Sequence, residues 1–578
     1  MSTSKVLKGT ALLSGATMIS RILGFIYFFP FQLLVGTQGV ALYGYAYSWY
    51  GILLSFSTAG IPIAVSKFVA KHNALGDYST SKKLYNSSVK LMLFMGFLGF
   101  LILFIGAPYI SQFIIRSKTP DPQFIADVTL TMRALSFALI IVPAMSVTRG
   151  YFQGFQHMKP SAVSQVVEQI ARVVFILVGS FIVSKLLGGS VASSVAVATF
   201  GAVIGALASV SILMMYWKKY NRLKPPEGEL KSRASNIPLK NIYIELLRYA
   251  IPIVFVGIAI PLYTLVDQYT VADVLRAMGE PLETANAVFA YITNYAQKLI
   301  MIPASLATGF SLTIIPAITK SYTSGKLEEL QEQISKIFQV LLFFTIPAAF
   351  GLASIAYDAF RMVYVDPKIA LDGSQYLISF APSAILSAVF TVSAAILQGI
   401  DYQRKTMIAF SVGILVKVLV NTPLLHLFGG HGAVLGTILG YLVSNVIMLY
   451  CIIKFAKFKM GETAKTVFLI TIYSAAMSAV VIALKVILKW LIPGQSYIES
   501  LLIVFICGAV GGVVYSIVTS LLFILHIEYV FVVQRYVILE HGVLLNVIPL
   551  LLTFLTPVHY TPVSLSTYSP YAHISFQA

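Results

Sequence analysis

Runs of about twenty apolar residues recur from near the start of this 578-residue chain to beyond residue 500. Each is long enough to cross the ~30 Å hydrocarbon core of a bilayer as an α-helix. Polar loops separate roughly fourteen of them. The expected spans are 10–35, 41–66, 88–115, 126–150, 161–186, 188–216, 244–270, 287–314, 334–362, 374–398, 406–428, 430–456, 466–490 and 500–525. Composition agrees: only 11% of the residues are charged, against roughly 25% in a soluble domain. The fold class that follows is an all-α polytopic membrane protein.

A net charge of +18 would suggest nucleic acid in a soluble protein, but the charges are sorted by side. With the N-terminus in the cytoplasm, about 25 Lys and Arg fall at cytoplasmic ends and about eight on the other side, as positive-inside topology requires. The most basic loop carries Lys218, Lys219, Arg222, Lys224, Lys231, Arg233 and Lys240 around Pro225-Pro226. Positive-inside topology explains it better than nucleic acid or an acidic partner. Cys451 and Cys507 lie in apolar spans and read as small buried hydrophobes. The first apolar stretch holds Arg21 and has no small-residue cleavage site, so it reads as a retained helix.

The chain repeats internally. Sliding it by about 249 positions puts Gly60, Lys71, Gly76, Leu93, Phe94 and Ala107 on Gly309, Lys320, Gly325, Leu342, Phe343 and Ala356. At a slip of about 245, Gln153-Gly154 meets Gln398-Gly399 and Arg172 meets Lys417. Six spans per copy give both copies one orientation, so the expected architecture is two parallel six-helix repeats around a central cavity. The segments are a lobe at 1–216, a basic cytoplasmic linker at 217–243, a second lobe at 244–456, two extra helices at 457–525 and an atypical tail at 526–578. Pro30, Pro62, Pro143, Pro252, Pro261, Pro303, Pro316, Pro347 and Pro382 are candidate kinks or hinges. Gly432, Gly436 and Gly440 suit close helix packing. Tyr43, Tyr45, Tyr47, Trp49 and Tyr50 read as an interfacial aromatic belt in preference to a sugar-stacking platform.

Four cations lie inside apolar spans: Arg21, Arg172, Lys298 and Lys417. Facing lipid, each would cost about 2.5–3.5 kcal/mol on insertion scales, so such charges mark a wet cavity or an anionic ligand. Glu168 sits four residues before Arg172, on the same helix face, either as a structural ion pair or as a tuning partner. Asp267 is the acid placed to compensate Lys417 or Lys298. Four cations against two acids leave a positive interior that favours phosphate or carboxylate and repels organic cations. No HExxH, P-loop, GxSxG or paired Cys/His spacing occurs. No enzymatic activity, metal or cofactor is therefore expected.

Three stretches carry a resemblance: Ser20-Arg21-Ile22-Leu23-Gly24-Phe25, Arg149-Gly150-Tyr151-Phe152-Gln153-Gly154 and Gln165-Val166-Val167-Glu168-Gln169-Ile170-Ala171-Arg172. The chain resembles the SpoVB- and YtgP-like branch of the MurJ lipid II flippase family, in the multidrug/oligosaccharidyl-lipid/polysaccharide exporter superfamily. The resemblance covers residues 1 to about 525. It implies two six-helix lobes around a cationic cavity, two further helices forming a groove for a lipid tail, and alternating access. It also implies a lipid-linked saccharide as substrate, location in the bacterial cytoplasmic membrane, and a role in peptidoglycan and cell-wall biogenesis and cell shape.

By position, Arg21 matches the first arginine of the family's first helix, and Lys298 keeps the charge of an eighth-helix arginine. Tyr27 stands where a second arginine is expected. Asp267 matches a seventh-helix aspartate that helps bind sodium in some relatives, and Lys417 stands where those relatives carry an asparagine ligand. A tethered ammonium there would take the ion's place. The expected cargo is an undecaprenyl-pyrophosphate-linked sugar, most of all lipid II, held on Arg21, Lys298 and Arg172, with Lys417 and Asp267 shaping the potential and gating. Other readings are export of a teichoic acid, capsule or spore-cortex precursor, a cation/drug antiporter, and a membrane scaffold that recruits wall synthases.

Overall fold

The computed structural model describes residues 3–58, 60–74, 76–114, 122–155, 157–221, 244, 254, 257–364, 366–491 and 496–524. The basic linker from Arg222 and the tail at 526–578 lie outside these residues. Among the described residues every regular element is helical. The first half comprises α1 (Thr3–Ile26), α2 (Phe28–Thr58), α3 (Ile61–Ala74), α4 (Tyr78–Ile114), α5 (Pro122–Ser136), α6 (Ala138–Gly154), α7 (Met158–Phe181) and α8 (Val191–Asn221). The second half comprises α9 (Ala259–Ala277), α10 (Leu282–Ala290), α11 (Gln297–Thr323), α12 (Leu327–Ser354), α13 (Ala356–Val363), α14 (Pro367–Gly399), α15 (Gln403–Phe428) and α16 (Gly430–Ala456). Two more helices follow, α17 (Met460–Leu491) and α18 (Tyr497–Ile524). Single π-helical turns occupy Ile182–Leu186 and Tyr291–Ala296.

Eleven described stretches are long and apolar enough to cross a membrane by length and composition. The difference from roughly fourteen has local causes. Gly15–Ser55 joins the first two expected spans; the turn between them is a single residue, Gly36 at φ 67°, which glycine adopts without steric penalty. The seventh span is described continuously only from Gly257. The π turn divides the eighth into Leu282–Ala290 and Gln297–Thr323. The expected span 41–66 also breaks, between Thr58 and Ile61. Pro62 follows there, at the start of α3, where a missing N–H removes no helical hydrogen bond.

The two halves pack alike. In the first half α1 packs on α7, α3 on α4 and α6, α4 on α6, α6 on α8, and α7 on α8. In the second half α9 packs on α15, α11 on α12 and α14, α12 on α14, α14 on α16, and α15 on α16. Each pairing in one half has its counterpart at the repeat-related place in the other. Glycines allow the closest approaches. A Cβ at Gly205 of α8 would meet the Glu168 carbonyl at 2.8 Å, and one at Gly432 of α16 would meet the Leu424 backbone at 2.2 Å. Lipid is as apolar as leucine, so close backbone packing of this kind, not exclusion from water, holds such helices together.

The first of the two C-terminal helices docks on the joint between α12 and α13. Ser478 and Lys485 of α17 engage the end of α12: the Ser478 hydroxyl donates to the Phe350 carbonyl at 3.2 Å, and Lys485 Nζ donates to the Ser354 carbonyl. Lys489 reaches Asp358 of α13 at 3.5 Å. The Ser354 carbonyl, one of the last four of α12 that the helix cannot pair internally, finds its donor on α17. Tyr515 of α18 donates to the Phe343 carbonyl at 3.1 Å.

Candidate functional site

Three contacts place the turns at Gly36, 187–190, 279–281 and Gly429 at one end of the bundle. A Cβ at Gly39 would lie 3.0 Å from Val191, Gln38 Nε2 donates to the Glu283 carbonyl at 3.2 Å, and a Cβ at Gly430 would lie 2.6 Å from Val288. Counting from those turns at 1.5 Å per residue puts Arg21, Arg172, Lys298 and Lys417 all about 18–26 Å below that end. Four cations on four helices thus share one depth.

In the first half, Glu168 is held by two arginines. Arg149 NH2 lies 2.8 Å from Glu168 Oε2 and also donates to Ser209 at 2.8 Å, while its Nε donates to Ser164 at 2.9 Å. Arg172 NH2 is 3.5 Å from Glu168 Oε1. The pair expected from helical spacing therefore exists, but Arg149 of α6 takes the tighter bond. One carboxylate faces two guanidiniums, so Arg172 is not neutralised. Its Nε is buried without a hydrogen-bond partner, and its helix packs against α2, which carries Tyr43, Tyr47 and Tyr50.

In the second half, Asp267 of α9 compensates Lys417 rather than Lys298. Lys417 Nζ is 2.8 Å from each carboxylate oxygen and 2.5 Å from Thr437 Oγ1. Asn421 Nδ2 donates to Thr270 at 2.6 Å and to Asp267 at 3.3 Å. Lys417 is 0% exposed. Expected to line the cavity, Lys417 is instead enclosed by its partners, and α16 packs close on α9 and α15 where Gly436 faces Asn421 and Gly440 faces Tyr263 and Gly413. A sodium ion beside Asp267 does not fit this chain, since the tethered ammonium already fills the oxygen nest. Among the described residues no group of three or more His, Cys, Asp or Glu could hold a metal.

Lys298 has a different environment. It follows the π turn Tyr291–Ala296, and such turns re-aim the residues after them. Its Nζ lies 3.1 Å from the Phe28 ring centroid, 5.3 Å from that of Tyr27 and 5.9 Å from that of Tyr43. Among the described residues no carboxylate pairs with it. Tyr27 and Tyr43 share a hydrogen bond of 2.9 Å, so Lys298 and the helix of Arg172 flank one tyrosine cluster. Tyr27, where a second arginine was expected, supplies a hydroxyl in place of a charge.

Arg21 is exposed and lies seven residues before Phe28. The helical ladder runs on between them through Tyr27 N to Leu23 O at 3.2 Å and Phe31 N to Tyr27 O at 3.1 Å. Arg21 and Phe28 thus lie two turns apart on one helix face. Thr17 and Ser20 bond Gln165 of α7, each at 3.4 Å.

The tyrosines of α2 do not form an interfacial belt. Tyr43, Tyr45 and Tyr50 are buried. Tyr45 stacks on Phe289 at 4.5 Å and donates to Asn286 Oδ1 at 2.9 Å. The reason is that α2 faces the second half of the chain, where an aromatic body with a polar tip fits a dry seam as well as it would fit a headgroup layer. Arg149 and this ring cluster are the parts that sequence reasoning missed. The partner of Arg149 lies nineteen positions away on another helix, beyond any helical-spacing rule.

Fold and site together define a polytopic helical membrane transporter with a cationic interior. The family model described as "Polysaccharide biosynthesis protein" matches residues 6–322, and the MatE model matches 252–422. The lipid II flippase MurJ of Bacillus subtilis is 39% identical over 518 residues, covering 89% of this chain and 94% of that protein. Stage V sporulation protein B of the same organism is 25% identical over 442 residues, covering 75% and 81%. A solved structure of lipid II flippase MurJ in an inward closed conformation superposes with a TM-score of 0.64 at 16% identity, covering 89% of this chain and 99% of that one. A multidrug resistance MATE family transporter of the MOP superfamily gives 0.58 at 16% identity, covering 75% and 94%. The chain belongs to the polysaccharide biosynthesis protein family, on its MurJ-like branch.

Proposed function

We propose that this protein is a flippase, not an enzyme, that moves an undecaprenyl-pyrophosphate-linked saccharide across the bacterial cytoplasmic membrane by alternating access, with lipid II as its cargo. The observation that carries this reading is Lys298: a cation deep in the bundle, without a carboxylate, sharing a tyrosine cluster with the helix of Arg172. Arg21, Lys298 and Arg172 hold the diphosphate, Arg172 by its planar fork and Lys298 as a point charge. Asp267 and Lys417 cancel each other and fix α9 against α15 and α16, shaping the potential without touching the cargo. The N-terminus is cytoplasmic, so the end carrying Gln38 and Glu283 faces outward. The prenyl tail stays in lipid beside α17 and α18. Wall synthases are the natural partners on the outer face.

The likeness to stage V sporulation protein B favours a second reading, in which the cargo is the precursor of a sporulation-specific wall layer. Depletion of the protein followed by measurement of lipid-linked precursors decides between them. Lipid II accumulating on the inner face supports the first reading. Accumulation only of another lipid-linked precursor, or only during sporulation, replaces it with the second.

A further inference from the structure

Lys298 has rings where an ion pair would be expected. A cation over an aromatic face is held more strongly when both are desolvated. Charge-assisted bonds to phosphate are stronger and directional, so an arriving diphosphate outcompetes the ring for the ammonium. A neutral sugar or a cation does not.

Phe28 is also not a free ring. It is fully buried and meets Tyr295 edge-on at 5.7 Å and Tyr364 edge-on at 6.4 Å. Those two tyrosines stack on each other at 4.3 Å. Phe28 belongs to the first half of the chain, whereas Tyr295, Tyr364 and Lys298 belong to the second. The ammonium therefore reaches from one half onto a ring of the other. This seam continues toward the Gln38 end, where Tyr45 stacks on Phe289 and Gln38 bonds Glu283.

We propose that Lys298 and Phe28 form a substrate-released latch. With no cargo the ammonium rests on the Phe28 ring and keeps the seam closed. A diphosphate draws the ammonium off the ring and frees the two halves to part at that end. Phe28 is then a positioning residue that makes opening conditional on an anion. The latch rests on the reading of the cargo as a lipid-linked diphosphate. It supplies what coupled opening requires, a ligand that binds one state better than the other.

The test uses the full chain in proteoliposomes, with Cys451→Ala, Cys507→Ala, Gln38→Cys and Glu283→Cys, and a short bis-thiol-reactive cross-linker to report seam closure. Phe28 is replaced by mono-, di- and trifluorophenylalanine, which progressively drain the negative ring face while keeping its shape. Without added cargo, the cross-linked fraction falls stepwise with each fluorine, at least threefold by the third. With the natural ring, vesicles containing undecaprenyl diphosphate lower the fraction to a similar extent, and vesicles containing undecaprenol leave it unchanged. A flat fluorine series overturns the latch whatever the vesicles do. A stepwise series with no response to the diphosphate lipid upholds the ring contact and overturns both its release by a diphosphate and the cargo reading.

Discussion

Lys417→Met leaves the Asp267 carboxylate buried, with the Asn421 amide donating to it at 3.3 Å. Removing one partner of a buried pair costs about 3–5 kcal/mol, because the other charge stays desolvated and uncompensated. Asp267→Asn strands the ammonium in the same way, with Thr437 at 2.5 Å and the Tyr263 ring at 5.4 Å beside it. The double variant Lys417→Met/Asp267→Asn removes both charges, and replacing a whole buried pair by groups of similar volume is close to neutral. At about 1 °C per kcal/mol for a unit of this size, from roughly 2.1 cal/mol/K per residue, each single variant melts about 3–5 °C lower in detergent, and the double variant recovers most of that loss. Thermal unfolding followed by loss of the monodisperse chromatographic peak measures all four proteins. A Lys417→Met protein as stable as the parent would refute the pairing, as would a double variant less stable than either single.

Three further outcomes follow from the same contacts. Arg149→Ala releases Glu168 to neutralise Arg172, so cargo transport falls about tenfold, the loss of roughly one charge-assisted contact; adding Glu168→Gln restores much of it, and an unchanged rate in Arg149→Ala argues against the shared carboxylate. Gly432→Ala drives a Cβ to 2.2 Å from the Leu424 backbone and costs at least about 2 kcal/mol, read as a lower yield of folded protein; a normal yield shows that α15 and α16 can separate freely there. Because the Lys417 ammonium fills the nest beside Asp267, transport proceeds at the same rate when potassium replaces sodium on both sides of a vesicle, and strict sodium dependence contradicts that assignment.

The charges that matter were legible in the sequence because an apolar span makes any Arg or Lys conspicuous. Asp267 could be assigned to Lys417 or Lys298, but only the packing of α9 on α15 decides for Lys417. The internal repeat was legible through sparse matches such as Arg172 with Lys417, and the duplicated helix pairings show its consequence. What stayed hidden depends on which way a helix faces. Lys417 and Lys298 have the same sequence signature, yet one is enclosed by Asp267, Thr437 and Asn421 while the other rests on Phe28. The tyrosines of α2 carry the same composition as a headgroup belt. Their burial against Phe289 and Asn286 is a property of the fold between the two halves, not of their own segment. Arg149 sits in a stretch that carries the family resemblance, but its bond to Glu168 crosses from α6 to α7 and has no periodicity to betray it.

The most direct measurement is exposure of lipid II on the outer face of cells depleted of their own flippase and supplied with this protein or its Arg21→Ala and Lys298→Ala variants. The account predicts restored exposure with the parent chain, and loss of exposure in both variants despite normal folding and membrane insertion. Full exposure in both variants would contradict a diphosphate held on these cations.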